Sequence, residues 1–118
     1  MADEVSNITP VEAYWRGVRH GLELRDRMDE AGKSPSFDII RAETVRNMAY
    51  GRYGDHTVRS LLREAQEICS NEPNDPRLSR IFPKNAQLES LEQSVSRGKR
   101  ALGWPDDWLR QALDDRLG

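Results

Sequence analysis

The chain has 118 residues, enough for a single domain that buries a core without disulfide staples. Eighteen basic and twenty acidic residues leave no overall field to draw the protein onto nucleic acid or an anionic membrane, so any such binding must come from a local patch. The single cysteine, Cys69, excludes an intrachain disulfide and a cysteine-based zinc cluster.

Residues 1–8 read as a polar, flexible lead-in. Thr9-Pro10-Val11-Glu12 then supplies a cap residue, a proline suited to the first helical position and a capping-box glutamate. Behind this start Val11, Tyr14, Trp15, Val18 and Leu22 recur at helical spacing and predict one buried stripe, with Trp15 in the core. Glu12, Arg16, Arg19, His20, Glu23 and Arg27 occupy the other face. Glu12 with Arg16 and Glu23 with Arg27 have the spacing of helix ion pairs. Gly32 is the expected stop.

Ser34-Pro35-Ser36 opens a second helix, expected from about Phe37 to Tyr50, whose apolar residues Ile40, Val45, Met48 and Ala49 make a broad, untidy side. Gly51 and Gly54 interrupt it, and Asp55 reads as the cap of a third helix. There Val58, Leu61, Leu62, Ala65, Ile68 and Cys69 fall in one narrow sector, with His56, Arg59 and Arg63 opposite. In that sector Cys69 reads as a buried thiol acting as a small hydrophobe.

The turn cluster from Asn71 to Pro76 is the candidate hinge, 71–76. A short helical turn is expected at 78–82, ended by Pro83. Asn85 reads as the cap of a helix in which Leu88, Leu91, Val95, Gly98 and Leu102 form a bundle seam, and Gly98 would let a neighbouring helix come close. The pattern leaves open whether this seam packs within the chain or against a second copy. Finally, Gly103-Trp104-Pro105-Asp106-Asp107-Trp108 reads as a helix start, continued by Leu109, Leu113 and Leu117. No segment alternates with period two. The expected fold is all-α, a compact bundle of five main helices plus a short one near 78–82, in one domain over 1–118.

The residues that could recognise something concentrate at the two-glycine corner. Arg46, Arg52, Tyr53, His56, Arg59 and Arg63 form the candidate macromolecule-binding surface. Arg97, Arg100, Trp104 and Trp108 form a candidate secondary interface, since arginine and tryptophan are common anchors of protein contacts. These point to a small non-enzymatic adaptor, inhibitor or assembly component that binds a protein partner. The alternative is a helix-turn-helix-like regulator that binds DNA or RNA. Ala49, Gly54 and Val58 resemble that motif's small, glycine and apolar positions, but their spacing departs from it.

Catalytic residues, a metal and a cofactor are not expected. His20 and His56 sit on separate segments, and neither begins a His-Glu-x-x-His spacing. The adjacent acids Asp106-Asp107 and Asp114-Asp115 diverge by about 100° on a helix and cannot share a site. No apolar stretch approaches the roughly 20 residues of a membrane span. The acidic amino terminus lacks a secretory apolar run, so a cytoplasmic setting is expected.

Overall fold

The computed structural model describes residues 8–30, 37–52, 55–71 and 78–115. Five helices follow one another: α1 (Pro10–Glu30), α2 (Phe37–Ala49), α3 (Val58–Asn71), α4 (Leu88–Leu102) and α5 (Trp108–Asp114). A single 3-10 turn, Leu78–Arg80, lies between α3 and α4. The all-α bundle with a short element near 78–82 is as the periodicity predicts. Tyr53, Gly54, Gly32, Leu117, the Ser34-Pro35-Ser36 start and the hinge beyond Asn71 lie outside the described residues, as do residues 1–7. Ile8, the last of the expected lead-in, packs against the core.

The centre of the bundle is α2. It buries Ile39, Ile40, Ala42, Val45, Met48 and Ala49, and with them Glu43, Thr44 and Asn47. A helix enclosed on nearly every side has no solvent face, which is why its apolar pattern looks untidy in the sequence. The α1 helix crosses α2 through Gly17 and Gly21. A Cβ at Gly17 would lie 2.5 Å from the Thr44 Cα, and one at Gly21 would lie 2.6 Å from the Ile40 Cα. On the far side Gly98 of α4 does the same work, since a Cβ there would run into the Asp38 carbonyl. The α4 seam thus closes within the chain, against α2.

The close crossing at Gly17 and Gly21 turns α1 relative to the expected stripe. Ala13, Tyr14, Gly17, Val18 and Gly21 are its buried residues. Val11 is 37% exposed instead of buried, and Trp15 sits half-buried at the rim, its ring edge-on to Tyr14 at 4.9 Å. Tyr14 in turn packs on Phe82, which follows the 3-10 turn and is fully buried with Ile81.

The helix starts show which caps the chain uses. At α1 the capping box forms: the Glu12 N–H donates to Thr9 Oγ1, and the Thr9 N–H donates to Glu12 Oε1, both at 3.1 Å. These bonds, with Arg16 adding its charge, hold the exposed Glu12 carboxyl below its usual range. Neither the Glu12–Arg16 nor the Glu23–Arg27 ion pair closes. At α3 the cap is Thr57, not Asp55. Thr57 and Ser60 exchange bonds at 2.9 and 3.0 Å, satisfying two free N–H groups together, and this places His56 before the helix rather than on its face. The start of α4 falls at Leu88 after Gln87, so Asn85 does not cap it; residues 83–86 are held instead by Gln66, whose amide donates to the Pro83 and Ala86 carbonyls. The last helix begins at Trp108, after a turn closed by the Trp108 N–H on the Pro105 carbonyl.

Among the described residues three buried side-chain atoms lack a hydrogen-bond partner: the Tyr14 hydroxyl, Arg25 Nε and Arg46 Nε. The Tyr14 hydroxyl has no hydrogen bond among the described residues, and the Cys69 thiol it faces lies near the Leu78 and Ser79 carbonyls at 3.6 and 3.7 Å. Burial keeps the Tyr14 phenol protonated far beyond its ordinary range. Removing an unbonded buried hydroxyl relieves a desolvation penalty. Tyr14→Phe is therefore expected to leave urea stability unchanged or raise it by up to ~1 kcal/mol. A clear loss of stability would show that the hydroxyl is satisfied.

Candidate functional site

The α2 helix ends in a corner that docks on α5. Gly51 has φ +68°, a left-handed conformation open to glycine, and its N–H donates to the Ala112 carbonyl at 3.1 Å. Gly103 ends α4 in the same way with φ +75°, and the Trp104 N–H reaches back to the Lys99 carbonyl at 3.0 Å. That reversal brings Trp104 over Arg46. The guanidinium lies 4.1 Å from the Trp104 ring centre and 5.8 Å from that of Tyr50 one turn along α2. Trp108, buried, backs Trp104 with ring centres 5.3 Å apart.

Arg46 is anchored from below as well. Its Nη2 donates to Glu43 Oε2 at 2.8 Å, and the Asn47 amide donates to Glu43 Oε1 at 3.2 Å. Glu43 is only 2% exposed, whereas Arg46 is 30% exposed. The Nε of Arg46 is buried without a partner, and Nη1 makes no hydrogen bond among the described residues. Burial beside Glu43 and Asp115 outweighs the neighbouring Arg46 and Arg16 charges and raises the Tyr50 phenol above its ordinary 10.0, so at neutral pH it stays a donor. The result is a half-exposed corner of one arginine and two aromatic rings.

The remaining predicted residues are deployed differently. Arg52 makes a two-pronged pair with Glu64 of α3, at 2.8 and 2.6 Å, which ties the corner to that helix. Arg59 of α3 pairs with Glu92 of α4 at 2.6 Å, and this contact lifts the Arg59 pKa. Arg97 of α4 pairs with Asp38 of α2 at 3.1 Å. Arg100 donates only to the Ser96 carbonyl in its own helix, and Arg63 is exposed with no ion pair among the described residues. Glu89, Glu92, Gln93, Ser96, Arg97 and Arg100 line a shallow depression along α4, and Glu92 among them holds Arg59. Arg46 and Trp104, from the two expected surfaces, are brought together.

Sequence reading missed a polar staple beneath this surface. Arg41, whose ring-stacked neighbour is Phe37, donates from Nε to the Ile81 carbonyl at 2.6 Å and from Nη1 to Ser94 Oγ at 3.1 Å. Ser94 in turn donates to Asp38. Helical spacing relates only Asp38 and Arg41, three apart on α2; Ser94 of α4 and the Ile81 carbonyl are brought to them by the fold. Burial pushes the Asp38 carboxyl up, but the Ser94 and Arg97 bonds and the Arg97 and Arg41 charges prevail and hold it below 3.8. A lowered folded-state pKa gives stability that is complete above the unfolded value and lost as pH falls through the folded one. Asp38→Asn should therefore flatten the acid limb of the stability profile below about pH 4, read by denaturation at stepped pH. An unchanged limb would mean that the Asp38 contacts contribute nothing to acid sensitivity.

Among the described residues there is no group of three or more His, Cys, Asp or Glu side chains placed to hold a metal ion, and no helix long and apolar enough to cross a membrane. Compared with family models, curated proteins and solved structures, the chain matches none.

Proposed function

We propose that the chain is a small non-enzymatic binding protein, an adaptor, inhibitor or assembly component, and that its partner is another protein. The supporting observation is the Arg46–Tyr50–Trp104 corner. Arginine, tyrosine and tryptophan are the residue types that carry most binding energy at protein interfaces. Here the guanidinium is already fixed by Glu43 and by the Trp104 stack, so little side-chain freedom is left to lose on binding. Its free Nη1 can receive a carboxylate or carbonyl of the partner.

The pairing of the other arginines favours this reading over the helix-turn-helix alternative. Phosphate binding draws on cations whose counter-ions can be released, and Arg52, Arg59 and Arg97 already hold carboxylates of the same chain. The link between α2 and α3, residues 50–57, is also about twice the three- to four-residue turn of that motif. A cytoplasmic setting belongs to the proposal, in keeping with the buried free thiol of Cys69.

The test pairs a capture experiment with a shift assay. The tagged chain should retain a protein partner from its native cells and lose it on Trp104→Ala, with the melting curve checking that the variant is folded. Capture that survives Trp104→Ala would take the corner out of the interface. A salt-sensitive shift of labelled duplex DNA or RNA would favour the alternative.

A further inference from the structure

The outer face of α1 carries a run of charges without ion pairs. Elsewhere Arg46, Arg52, Arg59, Arg97 and Lys99 each have an acid partner, while Arg63 and Arg100 have none among the described residues. The α1 charges Arg16, Arg19, Glu23, Asp26 and Arg27 make no ion pair among the described residues. Along one edge of the same face lie Val11, the one large hydrophobic side chain classed as exposed among the described residues, and the half-buried Trp15 and Leu22. This helix spans 21 residues and packs chiefly on α2, leaving its outer side uncovered.

The order of the charges says what would cover it. From the amino end the outward charges run Glu12, Arg16, Arg19, Glu23, Asp26, Arg27, and the central four pass from basic to acidic. Laid parallel against a copy of itself, this stripe sets like charges together. Laid antiparallel about a two-fold axis level with Gly21, it sets the basic half of each copy alongside the acidic half of the other and brings the two Leu22 side chains close to the axis. An isologous contact needs that self-complementarity, and opposite charges across it fix the register. We propose that the outer face of α1 is a homodimer interface in which two copies pair their α1 helices antiparallel. The proposal concerns a different surface from the Arg46–Trp104 corner and does not depend on it.

Sedimentation equilibrium of the full chain tests it. The wild type should show a concentration-dependent rise to twice the monomer mass. Arg16→Glu with Arg19→Glu makes the stripe acidic, and Glu23→Arg with Asp26→Arg makes it basic. Each double variant alone should be monomeric, and an equimolar mixture of the two should recover the dimer mass. Glu23 and Asp26 are exposed, so that variant keeps the test open even if substitution at the half-buried Arg16 disturbs folding. A wild-type chain that stays monomeric up to ~1 mM, the weak end of specific association, overturns the proposal. So does a dimer that persists in the Glu23→Arg, Asp26→Arg variant.

Discussion

Gly17→Ala should destabilise the protein, although the same change on an open helix would stabilise it. Glycine to alanine in an exposed helix interior gains about 1 kcal/mol, because alanine loses less backbone freedom on folding. At Gly17 the added carbon would sit 2.5 Å from the Thr44 Cα and 2.9 Å from the Glu43 carbonyl oxygen. Both are backbone atoms of a packed helix and cannot swing aside like the end of a flexible side chain. The two helices must move apart, and with them the contacts of Tyr14 and Val18 on α2 loosen. Overpacking of this kind costs roughly 1–3 kcal/mol, occasionally more, which outweighs the propensity gain. A Cβ at Gly21 would lie 2.6 Å from the Ile40 Cα, so Gly21→Ala should follow in the same direction. Valine at either position should lower the urea midpoint further. The sign is the decisive reading: a higher midpoint for Gly17→Ala would mean that α1 and α2 do not touch there.

Those two glycines also show where sequence reasoning lost accuracy. The apolar residues of α1 repeat at helical spacing and locate the helix, but the buried face is centred by whichever side can approach its neighbour most closely. That side carries Gly17 and Gly21, four apart, a spacing present in the sequence and not weighed against the larger apolar side chains. Hence Val11 was placed inside and Trp15 too deep. The α3 stripe was legible because one face packs and the other is solvated, the condition under which periodicity reports burial. For α2 that condition fails, and the burial of Glu43 and Asn47 was invisible: a polar residue inside a helix looks the same in sequence whether it faces water or a partner. The candidate site was legible in its ingredients and not in its assembly. Arg46 and Trp104 were each marked, but their contact depends on the chain reversal at Gly103 and on the α2–α4 crossing, both long-range consequences of packing. Capping misled at Asp55, where a nearer Thr57–Ser60 pair satisfies the same donors.

Removing Arg46 should destabilise the protein more than removing the acid it holds. Arg46→Met leaves the Glu43 carboxylate, 2% exposed, with only the Asn47 amide as a side-chain partner. Breaking a buried pair from this side typically costs 3–5 kcal/mol, and because Arg46 itself is 30% exposed the expected loss lies near the lower end, about 3 kcal/mol. Glu43→Leu is the milder change, since the guanidinium it releases belongs to a side chain that is 30% exposed and keeps its stack on Trp104. The double variant, Glu43→Leu with Arg46→Met, should recover much of the loss, because an apolar pair of similar volume carries no charge to desolvate. Urea denaturation of the three variants forms a cycle whose coupling should exceed ~1 kcal/mol for side chains in direct contact. Equal losses for the two single variants, with no coupling, would mean that Glu43 is reached by water and that Arg46 is not its anchor. If the asymmetry holds, Arg46 has two roles that cannot be separated by mutating it: it neutralises a core carboxylate and presents the edge proposed to meet a partner. Its neighbours Trp104 and Tyr50, both half-exposed and uncharged, allow the corner to be altered while the Glu43 pair is kept.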